Sequence, residues 1–150
     1  MAGYKISITN SEGAIEFSTA GEDNAVSIKS VEFRMNTLND DTRNRADTVR
    51  AEFEIKGKID NNNRDNTLKL LNWSIDKNQK TLYRDVEVIV YNSENCSGDV
   101  LRRYDISNMF VIDYEEFCVN EENSQNKETL DFRLFIAQKD GDKTIKVYSS

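Results

Sequence analysis

Apolar residues recur at every second position along most of this chain, the period of a strand with one buried face. Tyr4, Ile6 and Ile8 alternate with Lys5, Ser7 and Thr9, and Ile15 and Phe17 alternate with Glu16 and Ser18. Ser11–Gly13 lies between the two runs, which predicts a turn and an opening hairpin. Val26 and Ile28 continue the pattern. Val31, Phe33 and Met35 resume it one residue out of step, which predicts a bulge near Lys29–Ser30. Val49, Ala51, Phe53 and Ile55 face one way; Arg50, Glu52, Glu54 and Lys56 face the other. Later, Leu82, Val86, Val88 and Val90 alternate with Tyr83, Asp85 and Glu87, and Leu130, Phe132, Leu134 and Ile136 alternate with Asp131, Arg133 and Phe135. Val100–Tyr104 and Met109–Phe117 read as one long interrupted strand or as two. KDGDK, Lys139–Lys143, contains the Asp-Gly pair of a tight hairpin, so Ile145 and Val147 are expected on a return strand.

The period changes once. Asn61–Asn78 carries Leu68, Leu71 and Ile75 at helical spacing, flanked by Leu70 and Trp73, after an Asn- and Asp-rich lead-in that offers N-caps. The pattern predicts one α-helix over about residues 64–76, with Trp73 as a core or interface aromatic. Two polar segments, Asn36–Thr48 and Asn120–Glu128, separate strong strands and have none of the Gly, Ser and Pro bias of a linker. The fold class that follows is mainly β: a compact two-sheet barrel or sandwich of eight or nine strands with the helix on its side, as one domain over residues 1–150.

Charge narrows the function classes. The net charge is −7, and the basic residues are scattered among acids, unlike a nucleic-acid groove or an anionic-membrane surface. No apolar run approaches the roughly 18 residues of a membrane span. MAGYKISITN has no basic stretch leading into an apolar one, so no cleavable secretory signal is expected and synthesis is expected in the cytoplasm. Cys96 and Cys118 lack metal or redox spacing and are expected as reduced thiols. The chain has no histidine, which removes the commonest general base and metal ligand, and no proline.

The strongest candidate chemistry is RRYDISNMFVIDYEEF, Arg102–Phe117. As a strand it puts Phe110, Ile112 and Tyr114 on one face and Asp113 and Glu115 on the other. Two carboxylates about 7 Å apart fall in the range of a glycosidase pair. Any half-buried strand of an acidic protein produces the same spacing, so a solvated face is the simpler reading. An EF-hand register from Asp76 fails because Lys80 occupies a ligand position. Leu38–Asp41, LNDD, could hold a cation, though a solvated loop is again simpler. Glycine-rich phosphate loops are absent, and a serine nucleophile would need a lysine base. No catalytic, cofactor-binding or metal-ligating residue is therefore assigned. What remains is association. Asp40, Asp41, Arg43, Arg45 and Asp47 mix charge signs within eight residues, which suits contacts between copies of one protein as well as a solvated loop.

NTLKLLNWSIDKNQKTLYRDVEVIVY, LRRYDISNMFVIDYEEF and ETLDFRLFIAQKDG, in that order, resemble the helix, the strands after it and a late strand of a known family. The family is that of tube-forming proteins of contractile machines: the haemolysin-coregulated protein of type VI secretion and the tail-tube proteins of contractile phages and phage-like particles. The likeness covers about residues 26–148 and is one of pattern more than identity. It implies a barrel of two sheets with a flanking helix. It also implies hexameric rings stacked into a hollow tube, no enzymatic activity, no cofactor, and sheath, baseplate and spike proteins as partners. An acidic lumen would pass anionic or neutral cargo without sticking. The resemblance places Asn36, Leu38, Asn39, Asp40, Asp41, Arg43, Arg45 and Asp47 on a loop that reaches the neighbouring ring. That loop matches in position and composition, not residue by residue. The assembled particle would be a virion or phage-tail-like body that is released or injected.

The alternative readings are a β-sandwich module that recognises carbohydrate or protein through its two polar segments, and a two-carboxylate hydrolase. The segments Asn36–Thr48 and Asn120–Glu128 carry no aromatic residue, which weakens the first.

Overall fold

The computed structural model describes residues 2–19, 28–37, 49–61, 63–93, 95–120, 128–139 and 144–149. The strands are β1 (Gly3–Asn10), β2 (Gly13–Ser18), β3 (Ile28–Thr37), β4 (Val49–Ile59), β5 (Arg84–Tyr91), β6 (Val100–Asn120), β7 (Glu128–Gln138) and β8 (Ile145–Tyr148); the helix α1 (Arg64–Ser74) lies between β4 and β5. All pairings are antiparallel, in the order β2-β1-β5-β6-β7-β4-β3, with β8 also on β6.

β6 organises the fold. It is a single strand of 21 residues, the interrupted run of the sequence made continuous. Its first half pairs with β5 and β8, and its second half, from Met109 to Asn120, pairs with β7. The change falls at Asn108, whose φ of +52° is left-handed. An asparagine tolerates that conformation better than other side-chain-bearing residues. Its backbone is used on both sides: Asn108 N donates to Asp85 Oδ1 at 3.1 Å, and Lys139 N donates to Asn108 O at 2.7 Å. β6 thereby joins two half-sheets, β2-β1-β5-β6-β8 and β6-β7-β4-β3. Their inner faces meet through rings. Phe33 of β3 and Phe53 of β4 lie 4.6 and 5.5 Å from Tyr104 of β6, and Phe17 of β2 lies 6.1 Å from Phe132 of β7. Ile6, Ile8, Ile55, Val88, Leu134 and Ile136 fill the space between and are buried.

Alternation locates most of this. As expected, Ala51, Phe53 and Ile55 of β4 and Phe132, Leu134 and Ile136 of β7 are inward, and the slip near Lys29–Ser30 is a register shift between Ile28 and Ser30. A second shift, between Val111 and Asp113, was not expected. It puts Val111 and Tyr114 against the core and leaves Ile112 at the bulge, so Ile112 does not share the core face.

Two expectations need correction. β8 is not the hairpin return of β7. Both edges of β7 are taken, by β6 and β4, whereas the first half of β6 still offers an edge; β8 runs along that edge in line with β7, with Ile145 opposite Ile106. Gln138, fully buried, secures the junction by donating to the Ser107 and Thr144 carbonyls at 3.2 and 3.0 Å. The second correction concerns α1. The spacing of Leu68, Leu71 and Ile75 marks a helix, but the buried face is Thr67, Leu70 and Trp73. The rotation is set at both ends. Asn63 is the N-cap residue, yet its side chain turns back to β4: Nδ2 donates to Lys58 O at 2.6 Å, and Oδ1 accepts from Asp60 N at 2.9 Å. At the other end the Trp73 indole donates to Leu82 O at 2.7 Å and carries the Arg84 guanidinium over its ring. α1 bridges β2 and the second half of β6, where Asn66 donates to Glu16 O at 3.0 Å and the Tyr114 hydroxyl to Thr67 O at 3.4 Å.

Candidate functional site

The outer face of the β6-β7-β4-β3 half-sheet is a lattice of ion pairs. Glu54 is its hub. Oε1 accepts from Arg133 of β7 and Oε2 from Arg34 of β3, each at 2.8 Å, with Lys56 at 3.5 Å. Arg133 continues to Glu115 of β6 at 3.4 Å, so one carboxylate of β4 ties together four strands. The hydrogen bond from Arg133 holds the Glu54 carboxyl below its ordinary range, and Lys56 adds to the effect, against partial desolvation. Lys29 donates to Asp131 at 2.6 Å on the same face.

This arrangement settles the role of Asp113 and Glu115. They share the outer face, as the alternation predicts. Glu115 is engaged by Arg133, both are exposed, and no apolar wall covers either one. A catalytic acid pair needs one carboxyl kept protonated by burial, and nothing here supplies that. Asp76, the first residue of the rejected EF-hand register, organises a turn instead. It accepts from the Thr81 hydroxyl at 2.7 Å and from Asn78 N at 2.9 Å, and these bonds lower its pKa. The chain also contains the S-x-x-K spacing at Ser74–Lys77 and at Ser124–Lys127; Ser74 Oγ donates to Leu71 O at 2.5 Å, and Ser124 and Lys127 lie outside the described residues. Among the described residues, no three His, Cys, Asp or Glu side chains converge as for a metal ion, and no helix is long and apolar enough to cross a membrane.

Two hollows of about 380 Å³ lie on the outer face of the other half-sheet. One is rimmed by Thr9, Asp85, Asp105 and Lys146, the other by Lys5, Glu16, Glu87 and Ile89. Both mix hydroxyls with charges of either sign.

Of the residues expected at a ring-stacking loop, the structure describes Asn36. It closes the β3–β4 pair: Nδ2 donates to Glu52 Oε1 at 3.0 Å, and Arg50 Nε donates to the same oxygen at 3.2 Å. Glu52 is only 2% exposed, so the stem is firmly held. Leu38, Asn39, Asp40, Asp41, Arg43, Arg45 and Asp47 lie outside the described residues, as do the LNDD residues and most of Asn120–Glu128. They join the paired ends Thr37 and Val49.

The surfaces that sequence reasoning missed are apolar. Leu68 and Ile75 on α1 are 53% and 67% exposed, and on β6 Ile112 and Phe117 are 36% and 41% exposed. From Val111 to Asn120, β6 has a strand partner on one side only among the described residues. Periodicity could not reveal the helix face, because Leu70–Leu71 and Leu68 give two overlapping apolar stripes and only tertiary contacts choose between them.

No protein-family model matches the sequence. No curated protein matches it either. Solved structures do. Hcp1 from Flavobacterium johnsoniae superposes at a TM-score of 0.50 with 12% identity, over 97% of this chain and 96% of that one. A second Hcp protein gives 0.52 with 13% identity, over 99% and 98%. A chain of the anti-feeding prophage baseplate gives 0.54 with 10% identity, over 97% and 92%. At such identities the likeness is one of fold, and it agrees with the barrel and flanking helix that the resemblance implied. From end to end, this chain has the fold of the Hcp proteins.

Proposed function

We propose that this protein is a structural tube subunit of a contractile injection system or phage-tail-like particle. The observation that carries the reading is the match of fold over nearly the full length of both chains, so that the likeness is to a whole subunit rather than to a shared core. The surface supports it: edges of β2, β3, β8 and the second half of β6 lack a strand partner among the described residues. Such edges are hazards in a monomer and are used up when subunits close a ring. The site chemistry supports a non-enzymatic role, since every carboxylate cluster described is either solvated or ion-paired.

In this reading the subunits form hexameric rings that stack into a hollow tube. The anti-feeding prophage baseplate was imaged with 6-fold symmetry, and a hexamer is our assignment for this chain. The Asn36–Thr48 segment reaches from its stapled stem to the next ring, and sheath, baseplate and spike proteins are the partners. The assembled particle acts after release or injection. No described residue favours the carbohydrate- or protein-binding module.

Negative-stain electron microscopy over a concentration series tests this. Rings or tubes with a central channel are expected. Lone monomers at every concentration, also when co-expressed with the products of the neighbouring genes, refute it.

A further inference from the structure

A surface helix normally turns polar residues to solvent, opposite its buried stripe. α1 does so only in part: Arg64, Asp65, Lys69 and Asn72 are exposed, but apolar residues are exposed among them. At 100° per residue, Arg64, Leu68, Leu71 and Ile75 fall within a sector of about 60°, centred about 130° from that of Thr67, Leu70 and Trp73. Leu68, Leu71 and Ile75 are 53%, 36% and 67% exposed. The surroundings are basic on an acidic protein: Arg64, Lys69, Lys77 and Lys80 outnumber Asp65 and Asp76 between residues 63 and 83, whereas the whole chain is −7. Among the described residues Arg64 has no ion-pair partner.

The same chain carries the complement. Val111–Asn120, the second half of β6, holds Asp113, Glu115 and Glu116 and no basic residue. Asp113, Glu115 and Phe117 alternate onto its outer face, where Arg133 holds Glu115, and Ile112 is exposed at the bulge beside them. Glu116 lies on the other face and accepts from the Tyr114 hydroxyl at 2.8 Å. Another exposed apolar patch, Leu101 with Val147 and Tyr148, is also flanked by basic residues, but its Arg103 is already held by Glu87 at 2.9 Å and Asp105 at 3.7 Å. Among the described residues, the α1 stripe is a basic apolar surface with no ion-pair partner for Arg64.

We propose that the α1 stripe docks on the outer face of the second half of β6 of another copy of this chain, with Arg64 facing Asp113 and Leu68 and Ile75 covering Ile112 and Phe117. This rests on the tube reading and names one of its subunit contacts. The two surfaces are unlike, so the contact is heterologous, and each copy has one of each to offer; such contacts propagate into rings or filaments instead of stopping at a dimer. The stripe is small beside the roughly 800 Å² per partner of a stable pair. One contact is therefore weak, and closure of a ring supplies the avidity.

The test uses the full chain, followed by sedimentation velocity over a concentration series and by electron microscopy. The first variant is Leu68→Ser with Ile75→Ser, and the second is Asp113→Lys with Phe117→Ser. All four positions are exposed, so thermal midpoints in dilute solution should stay near wild type. Each variant alone should need at least about tenfold more protein to associate, the equivalent of about 1.4 kcal/mol. At the top of the concentration series, where a single weak contact is populated, an equal mixture should give heterodimers and nothing larger, because each variant keeps one intact face. Wild-type-like assembly of the first variant, or a mixture that stays monomeric even at that concentration, overturns the docking. A wild-type chain that never self-associates overturns it too. The two readings fail separately. Hollow tubes from the first variant would leave the tube role standing without this contact. Association that needs both faces but builds no channel would keep the contact and remove the tube.

Discussion

The rotation of α1 can be tested with two neighbouring leucines. Leu70 is 1% exposed, against the core, and Leu68 is 53% exposed on the opposite side. Truncation to alanine removes the same three carbons from each. At about 0.8 kcal/mol per buried methylene, Leu70→Ala forfeits roughly 2.4 kcal/mol of transfer free energy, and an unfilled cavity beneath the helix raises the cost to about 3–4 kcal/mol. Leu68 already has half its surface in water. Its truncation should cost under about 1 kcal/mol, offset in part by the better helix propensity of alanine. For a chain of this size, 1 kcal/mol moves the midpoint by about 2–4 °C. Thermal unfolding, followed by circular dichroism on dilute monomeric samples, should show a drop of about 6–16 °C for Leu70→Ala and under about 4 °C for Leu68→Ala. Equal drops, or a larger one for Leu68, would mean that the helix lies on its other face, and the proposed docking stripe would then be core.

Glu54→Gln should lower stability at neutral pH by about 1–3 kcal/mol, since two charge-assisted bonds weaken and their arginines stay partly solvated. Because the folded pKa of Glu54 lies below its ordinary 4.5, its contribution is complete above that value and fades as the pH falls through the lowered one. Wild type and variant should therefore converge in acid, and parallel stability curves from pH 7 to pH 3 would refute the hub. Asn108→Gly should be neutral within about 0.5 kcal/mol, whereas Asn108→Val should cost about 2 kcal/mol or more through its left-handed φ. Chemical denaturation measures both, and equal effects would remove the strained bend.

Much of the fold was legible because a strand with one wet face must alternate. Phe53 and Ile55 inside and Glu52 and Glu54 outside follow from that rule, and so does the slip at Ile28–Ser30. Pairing was less legible. Asp140–Gly141 is a local signal, and it lost to a distant fact: β7 has no free edge to give. The helix face was decided by Asn63 and Trp73, whose bonds reach to Lys58 and Leu82 and leave no periodic trace. For the candidate site, the absence of histidine directed attention from chemistry to surfaces. The apolar part of those surfaces stayed hidden because an exposed leucine and a buried one look alike in a sequence.

The order of the sheet has a consequence for synthesis. β4 pairs with β7, so residues 49–59 leave the ribosome long before residues 128–138 that complete their edge. β1 likewise waits for β5. Such distant pairing is slow to form and leaves half-made sheets open to wrong partners. During that wait the side chains along β4 include Arg50, Glu52, Glu54 and Lys56, a charge at every second position that discourages pairing between nascent chains. The ion-pair lattice of the finished fold thus begins as a guard on an unfinished one, and the sheet is completed only with the last third of the chain.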